Sequence, residues 1–104
     1  MEVYFFHEDL EKFISSLEEL TIAKAVRVIM LLERFGSNLG MPQSKALAGG
    51  IFELRIRGIQ EVRIFYAFHK RTAVLLYGYI KKTEKTPVRE IRTAMKRKTL
   101  LDAR

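Results

Sequence analysis

From Phe52 to Arg57 apolar and charged residues alternate without a break, Phe52, Leu54 and Ile56 against Glu53, Arg55 and Arg57. Successive side chains of a β-strand point to opposite faces, so this stretch makes one apolar face and one charged face. A chain that carries it must build a sheet with one side against a core. Two further β-rich segments follow, Val62–Phe68 after the turn at Gly58 and Thr72–Ile80 after His69-Lys70-Arg71. Together they predict a three-stranded antiparallel meander.

Upstream the period changes. Glu2–His7 is rich in β-formers and predicts a short first strand that stops at Glu8-Asp9. From Leu10 the apolar residues recur at Phe13, Ile14, Leu17 and Leu20, the spacing of one helical face. A second helix, capped by Thr21, carries Ile22, Ala25, Val26, Ile29, Met30, Leu32 and Phe35 and ends at Gly36. Ser37–Gly50, with Gly40, Pro42, Gly49 and Gly50, reads as an ordered connecting loop. Downstream, Thr86-Pro87 is a helix start, a capping hydroxyl before a first-turn proline, with Glu90 favouring the dipole. The order is β-α-α-β-β-β-α, an α+β fold in one domain over residues 1–104, with helices on one face of a mainly antiparallel sheet.

Charge divides the chain. Residues 1–52 hold five basic and seven acidic side chains, whereas residues 53–104 hold fourteen and five, giving −2 and +9. Cations concentrated in this way favour a polyanion, RNA or DNA before membrane, because clustered Lys and Arg release counterions from phosphates. A solvated basic surface fits the same numbers. With no cysteine and only His7 and His69, disulfide, thiol and ordinary zinc chemistry are excluded. No apolar stretch approaches the roughly 18 residues of a membrane span. The N-terminal region lacks the pattern of a signal peptide, so the expectation is a soluble cytoplasmic protein.

If Phe52, Leu54 and Ile56 face the helices, Glu53, Arg55 and Arg57 face away. With Val62, Ile64, Tyr66 and Phe68 inward, Arg63 joins them. In the third strand Val74, Leu76 and Ile80 inward put Tyr77, Tyr79 and Lys81 outward, with Lys82 free at the strand end. Arginine offers forked donors to phosphate oxygens, lysine mobile charge, and tyrosine a flat face for an unpaired base. That combination suits single-stranded RNA. The same pattern also fits the wet side of a sheet, on which the arginines pair with Glu53 or Glu61 and Tyr77 and Tyr79 pack at an edge.

The run Lys45-Ala46-Leu47-Ala48-Gly49-Gly50-Ile51-Phe52-Glu53-Leu54-Arg55, followed by Val62-Arg63-Ile64-Phe65-Tyr66 and by Gly78-Tyr79-Ile80-Lys81-Lys82-Thr83, with Thr86-Pro87 and Glu90-Ile91, carries a resemblance. It is similar to the phage-derived HigB-like branch of the RelE/ParE toxin superfamily over nearly the whole chain. The resemblance implies a RelE-like fold and the toxin of a type II toxin–antitoxin pair. Such a toxin is an endoribonuclease that cleaves messenger RNA in the ribosomal A site without a metal or other cofactor. A co-expressed antitoxin, often a helix-turn-helix DNA-binding protein, neutralises it. On this resemblance Arg55 and Arg63 match phosphate or transition-state positions, and Lys82 or Lys81 matches the basic end of the last meander strand, Lys82 being preferred as proton donor. Glu53 serves as base or orients Arg55. Arg57, Tyr79, Lys81, Lys85, Arg92 and Lys96 are the expected RNA contacts. The alternative is a non-catalytic interaction module, either an RNA-binding protein or a ParE-like gyrase inhibitor.

Overall fold

The computed structural model describes residues 1–104. Strand β1 (Val3–Phe5) leads into helix α1 (Glu8–Ser15), helix α2 (Glu19–Phe35), strands β2 (Ser44–Ala46), β3 (Phe52–Ile56), β4 (Val62–His69) and β5 (Thr72–Ile80), and helix α3 (Val88–Asp102). The five strands form one sheet in the order β1-β5-β4-β3-β2, antiparallel except for the β1–β5 pair. The expected meander is β3–β4–β5, and β2 is an additional edge strand inside the segment that reads as a loop. No helix is long and apolar enough to cross a membrane.

The alternation in β3 does what its period dictates. Leu54 and Ile56, with Val62, Ile64 and Tyr66 from β4, pack against Leu10, Ile14 and Leu17 and against Ala25 and Leu32 of α2. The two N-terminal helices therefore cover this face, as expected. Helix α3 does not join them. It lies across the opposite face, where Ala94 and Leu101 close a second core over Ile51, Phe65, Ala67, Val74, Leu76 and Tyr79. The face expected to stand open is thus roofed along most of its length.

A bulge explains why Val74 and Leu76 lie in this second core and not in the first. Phe65 pairs with Tyr77 but the next residue, Tyr66, pairs with Leu75, so Leu76 is an extra residue on β5. An extra residue inverts the parity of everything beyond it. Tyr77 and Tyr79 therefore share the α3 side with Val74 and Leu76, while Ile80 packs with the first core as expected. Tyr4, on the exposed side of β1, is half open to solvent.

Both helix starts differ from the capping patterns, α2 starting three residues early and α3 one residue late. Helix α2 begins at Glu19, and Thr21 is buried within it. The N–H of Glu18 is met by the Gln60 side chain at 2.9 Å. Helix α3 begins at Val88 with Pro87 in the capping position. The Thr86 hydroxyl caps nothing and is used elsewhere.

Candidate functional site

The strand registers set out two rows of side chains on the α3 face. Arg55, Arg63 and Tyr79 stand opposite one another across β3, β4 and β5. The neighbouring row is Lys45, Glu53, Phe65 and Tyr77 across β2 to β5. Directly opposed like charges destabilise a sheet. The Arg55–Arg63 pair is tolerated because Glu53 lies between the two guanidiniums, its Oε1 at 3.4 Å from Arg55 Nε and 3.7 Å from Arg63 Nε.

Glu53 and Arg63 are almost fully buried, with 2% and 3% of their surface exposed. Ionised groups are found inside proteins when they are paired and hydrogen-bonded. Glu53 meets this condition on both oxygens, for the Thr86 hydroxyl donates to its Oε2 at 3.2 Å. Arg63 donates through Nη1 to Glu61 Oε2 at 3.1 Å. Two donors nevertheless remain unmet: Arg63 Nε and the Tyr79 hydroxyl are buried without a hydrogen-bond partner. Burial raises the Tyr79 phenol above its ordinary pKa, against the downward pull of the nearby Thr86 hydroxyl and with the Glu53 carboxylate adding to the rise, so the group stays neutral.

Arg55 differs from Arg63 in access. Its side chain keeps 15% of its surface exposed, and its Nη1 is 4.0 Å from the Met41 sulfur. The Arg55 N–H donates to the Gln43 carbonyl at 2.8 Å, tying the segment before β2 to the site. In the connection from β5 to α3, Lys81 is half-buried and continues the ladder by donating its N–H to the Glu61 carbonyl at 2.7 Å. Lys82 and Lys85 are exposed beyond it. No three histidine, aspartate or glutamate side chains come together as a metal ion would require.

The remaining expected contacts divide. Arg57 lies just past the end of β3, exposed, and its carbonyl accepts from Lys24 of α2 at 3.0 Å. Arg92 and Lys96 are exposed on α3, away from the carboxylate cluster. Tyr79 is a correction: its ring stacks on Phe65 at 5.8 Å between centroids, and the residue is 7% exposed, so it presents no flat face to a base. Its side of the sheet follows the expected pattern, and the helix that covers it does not. Two residues were missed. Lys45 stands opposite Glu53 because β2 pairs with β3, and Thr86 reaches Glu53 because α3 starts one residue late.

The fold is thus a mixed five-stranded sheet with a helix pair on one face, a terminal helix on the other, and a buried guanidinium–carboxylate cluster on the α3 side. A family model described as phage derived protein Gp49-like (DUF891) matches residues 12–99, and the chain belongs to that family, which falls broadly within the RelE/ParE toxin superfamily. No curated protein matches the chain.

Proposed function

We propose that the protein is the toxin of a type II toxin–antitoxin pair of the HigB-like kind, a metal-independent endoribonuclease that cuts messenger RNA on the ribosome. The observation that carries this reading is the guanidinium of Arg55, held by the buried Glu53 yet accessible, in one row with Arg63. A partly exposed arginine fixed by a carboxylate offers its remaining donors to an anion. The anion of this reading is the scissile phosphate.

In the reaction the RNA 2′-oxygen attacks the adjacent phosphorus and gives up its proton to solvent water. The bond from phosphorus to the 5′-oxygen breaks, leaving a cyclic 2′,3′-phosphate and a 5′-hydroxyl. Arg55 takes a phosphate oxygen and supports the charge that grows on the phosphorane, while Arg63, as enclosed as Glu53, adds positive potential from behind it. Lys82, on the exposed connection after β5, delivers the proton to the leaving 5′-oxygen. Glu53 is too enclosed to meet a 2′-hydroxyl and acts as a positioning residue, holding both guanidiniums by one oxygen. Arg57, Lys81, Lys85, Arg92 and Lys96 hold the RNA of message and ribosome. The cognate antitoxin is a helix-turn-helix DNA-binding protein.

Induced expression in bacteria with primer-extension mapping tests the reading. Wild type is expected to arrest growth and produce new cuts within translated frames, and Arg55→Ala, folded, to lower cutting about 100-fold or more. Arrest without cuts would assign another target, such as gyrase. Cutting that is indifferent to Arg55→Ala would place the chemistry elsewhere on the molecule.

A further inference from the structure

Strand β2 brings a cation and an apolar groove to the edge of the Arg55 site. Lys45 shares a row with Glu53, is exposed, and forms no ion pair. Two residues on is Leu47, whose N–H donates to the Ile51 carbonyl at 2.8 Å, and Ile51 stands two residues before Glu53 on the same face. Leu47, Ala48, Gly49 and Ile51 face Ile91 and Met95 of α3 across an open groove of about 560 Å³. Gly49 has φ +74°, and a Cβ there would come 3.0 Å from Met95 Cε, so glycine lets this wall and α3 approach closely.

Alternate side chains on a strand are separated by about 6.6–6.8 Å, so Arg55 and Glu53 on β3 and Ile51, the extended residue just before it, mark two such steps. A stretched single strand covers that path in a nucleotide or two. We propose that Lys45 and this groove form a second RNA subsite, in which Lys45 holds the phosphate next to the one at Arg55 and the groove takes the attached nucleobase. The proposal rests on the RNA-cleaving reading above. Lys45 is an exposed, unpaired cation on this side of the groove, whereas Lys98, which packs against Gly50, is held by Asp102 at 2.7 Å. The groove walls are aliphatic with one polarisable thioether, a surface that grips a base by its faces and offers its edges almost nothing. The subsite therefore accepts purines and pyrimidines alike.

A labelled 2′-O-methyl oligouridine, which has no 2′-hydroxyl to attack with, measures binding without cleavage. Anisotropy titrations at several salt concentrations should find Lys45→Ala weaker than wild type, with a salt slope lower by roughly 0.7. Met95→Glu, at a position 39% exposed, should bind roughly tenfold more weakly. Moving a single abasic unit along the oligonucleotide should reveal one position at which Met95→Glu no longer matters. If Arg55→Ala weakens binding while Lys45→Ala and Met95→Glu match wild type, the subsite is overturned and the groove is left to an acidic, apolar protein segment. If binding ignores Arg55→Ala as well, the RNA-cleaving reading itself falls.

Discussion

A guanidinium with almost no exposure costs several kcal/mol in desolvation unless its charge is met, and at Arg63 it is met by Glu53 and Glu61. Glu53→Gln keeps the shape and the Thr86 contact but leaves Arg55 and Arg63 facing each other without the charge between them. The expected loss is about 3–5 kcal/mol in urea unfolding, and a Glu53→Leu/Arg63→Met double variant should recover much of it, because two buried charges leave together. An undiminished Glu53→Gln protein would show that Glu61 alone suffices for Arg63. Burial also settles which arginine tests the chemistry. Arg63→Ala opens the core as well as removing a charge, whereas Arg55→Ala acts at the accessible edge. The alternation of β3 and β4 was enough to put Glu53, Arg55 and Arg63 on one face. It could not show that they would be enclosed, because the cover comes from a helix thirty residues away, and residue period reports direction, not depth.

At the scale of elements, β3 and β4 were legible because each keeps strict parity, and β5 only in part because one bulged residue reverses its parity midway. Strand β2 is three residues long, too short for any period to register, which is why Lys45 reads as loop. The α1–β5 contact was equally hidden in an ordinary glycine: a Cβ at Gly78 would lie 2.9 Å from Leu10 Cδ1 and 3.0 Å from Phe13 Cε2. Gly78→Ala should therefore cost about 1–3 kcal/mol by overpacking, and an unchanged unfolding midpoint would mean that α1 shifts freely. Helix α3 is fastened to the same region by Arg97, which donates to Asp9 Oδ1 at 3.0 Å and to the Leu76 carbonyl at 2.9 Å. The Arg97 hydrogen bond holds the Asp9 carboxyl below its ordinary range, against the upward push of burial. A depressed carboxyl stabilises the fold above its unfolded pKa of about 3.9, and that share is lost as pH falls through the lower folded value, where the unfolded chain binds more protons. Wild type should accordingly be more stable than Asp9→Asn near pH 7, and the gap should close as pH falls through the lowered folded value to a pH at which Asp9 is protonated in both the folded and the unfolded chain. A constant gap between them down to that pH would remove the Asp9–Arg97 pair from the account.

For the molecule as a whole, the +9 charge of residues 53–104 takes on meaning once ion pairs are set aside. Arg97 is taken by Asp9, Lys98 by Asp102 and Arg89 by Glu90, and the cations of this half left in no ion pair include Arg57, Lys81, Lys82, Lys85, Arg92 and Lys96. Charge that folding has already neutralised cannot displace counterions, so these six, together with the equally unpaired Lys70, Arg71 and Arg104, carry the attraction to a polyanion. Arg92 and Lys96 stand four residues apart on α3, hence on one helical face, exposed and clear of both cores. Reversing them together in Arg92→Glu/Lys96→Glu should leave stability within about 0.5 kcal/mol, since neither side chain is packed or paired. Ribosome association should suffer instead: in pelleting assays at rising salt, the variant should leave the ribosome at a lower concentration than wild type does. Equal release would move the ribosomal contact off α3 and onto the connection of Lys81, Lys82 and Lys85, where the same substitution pattern can be repeated.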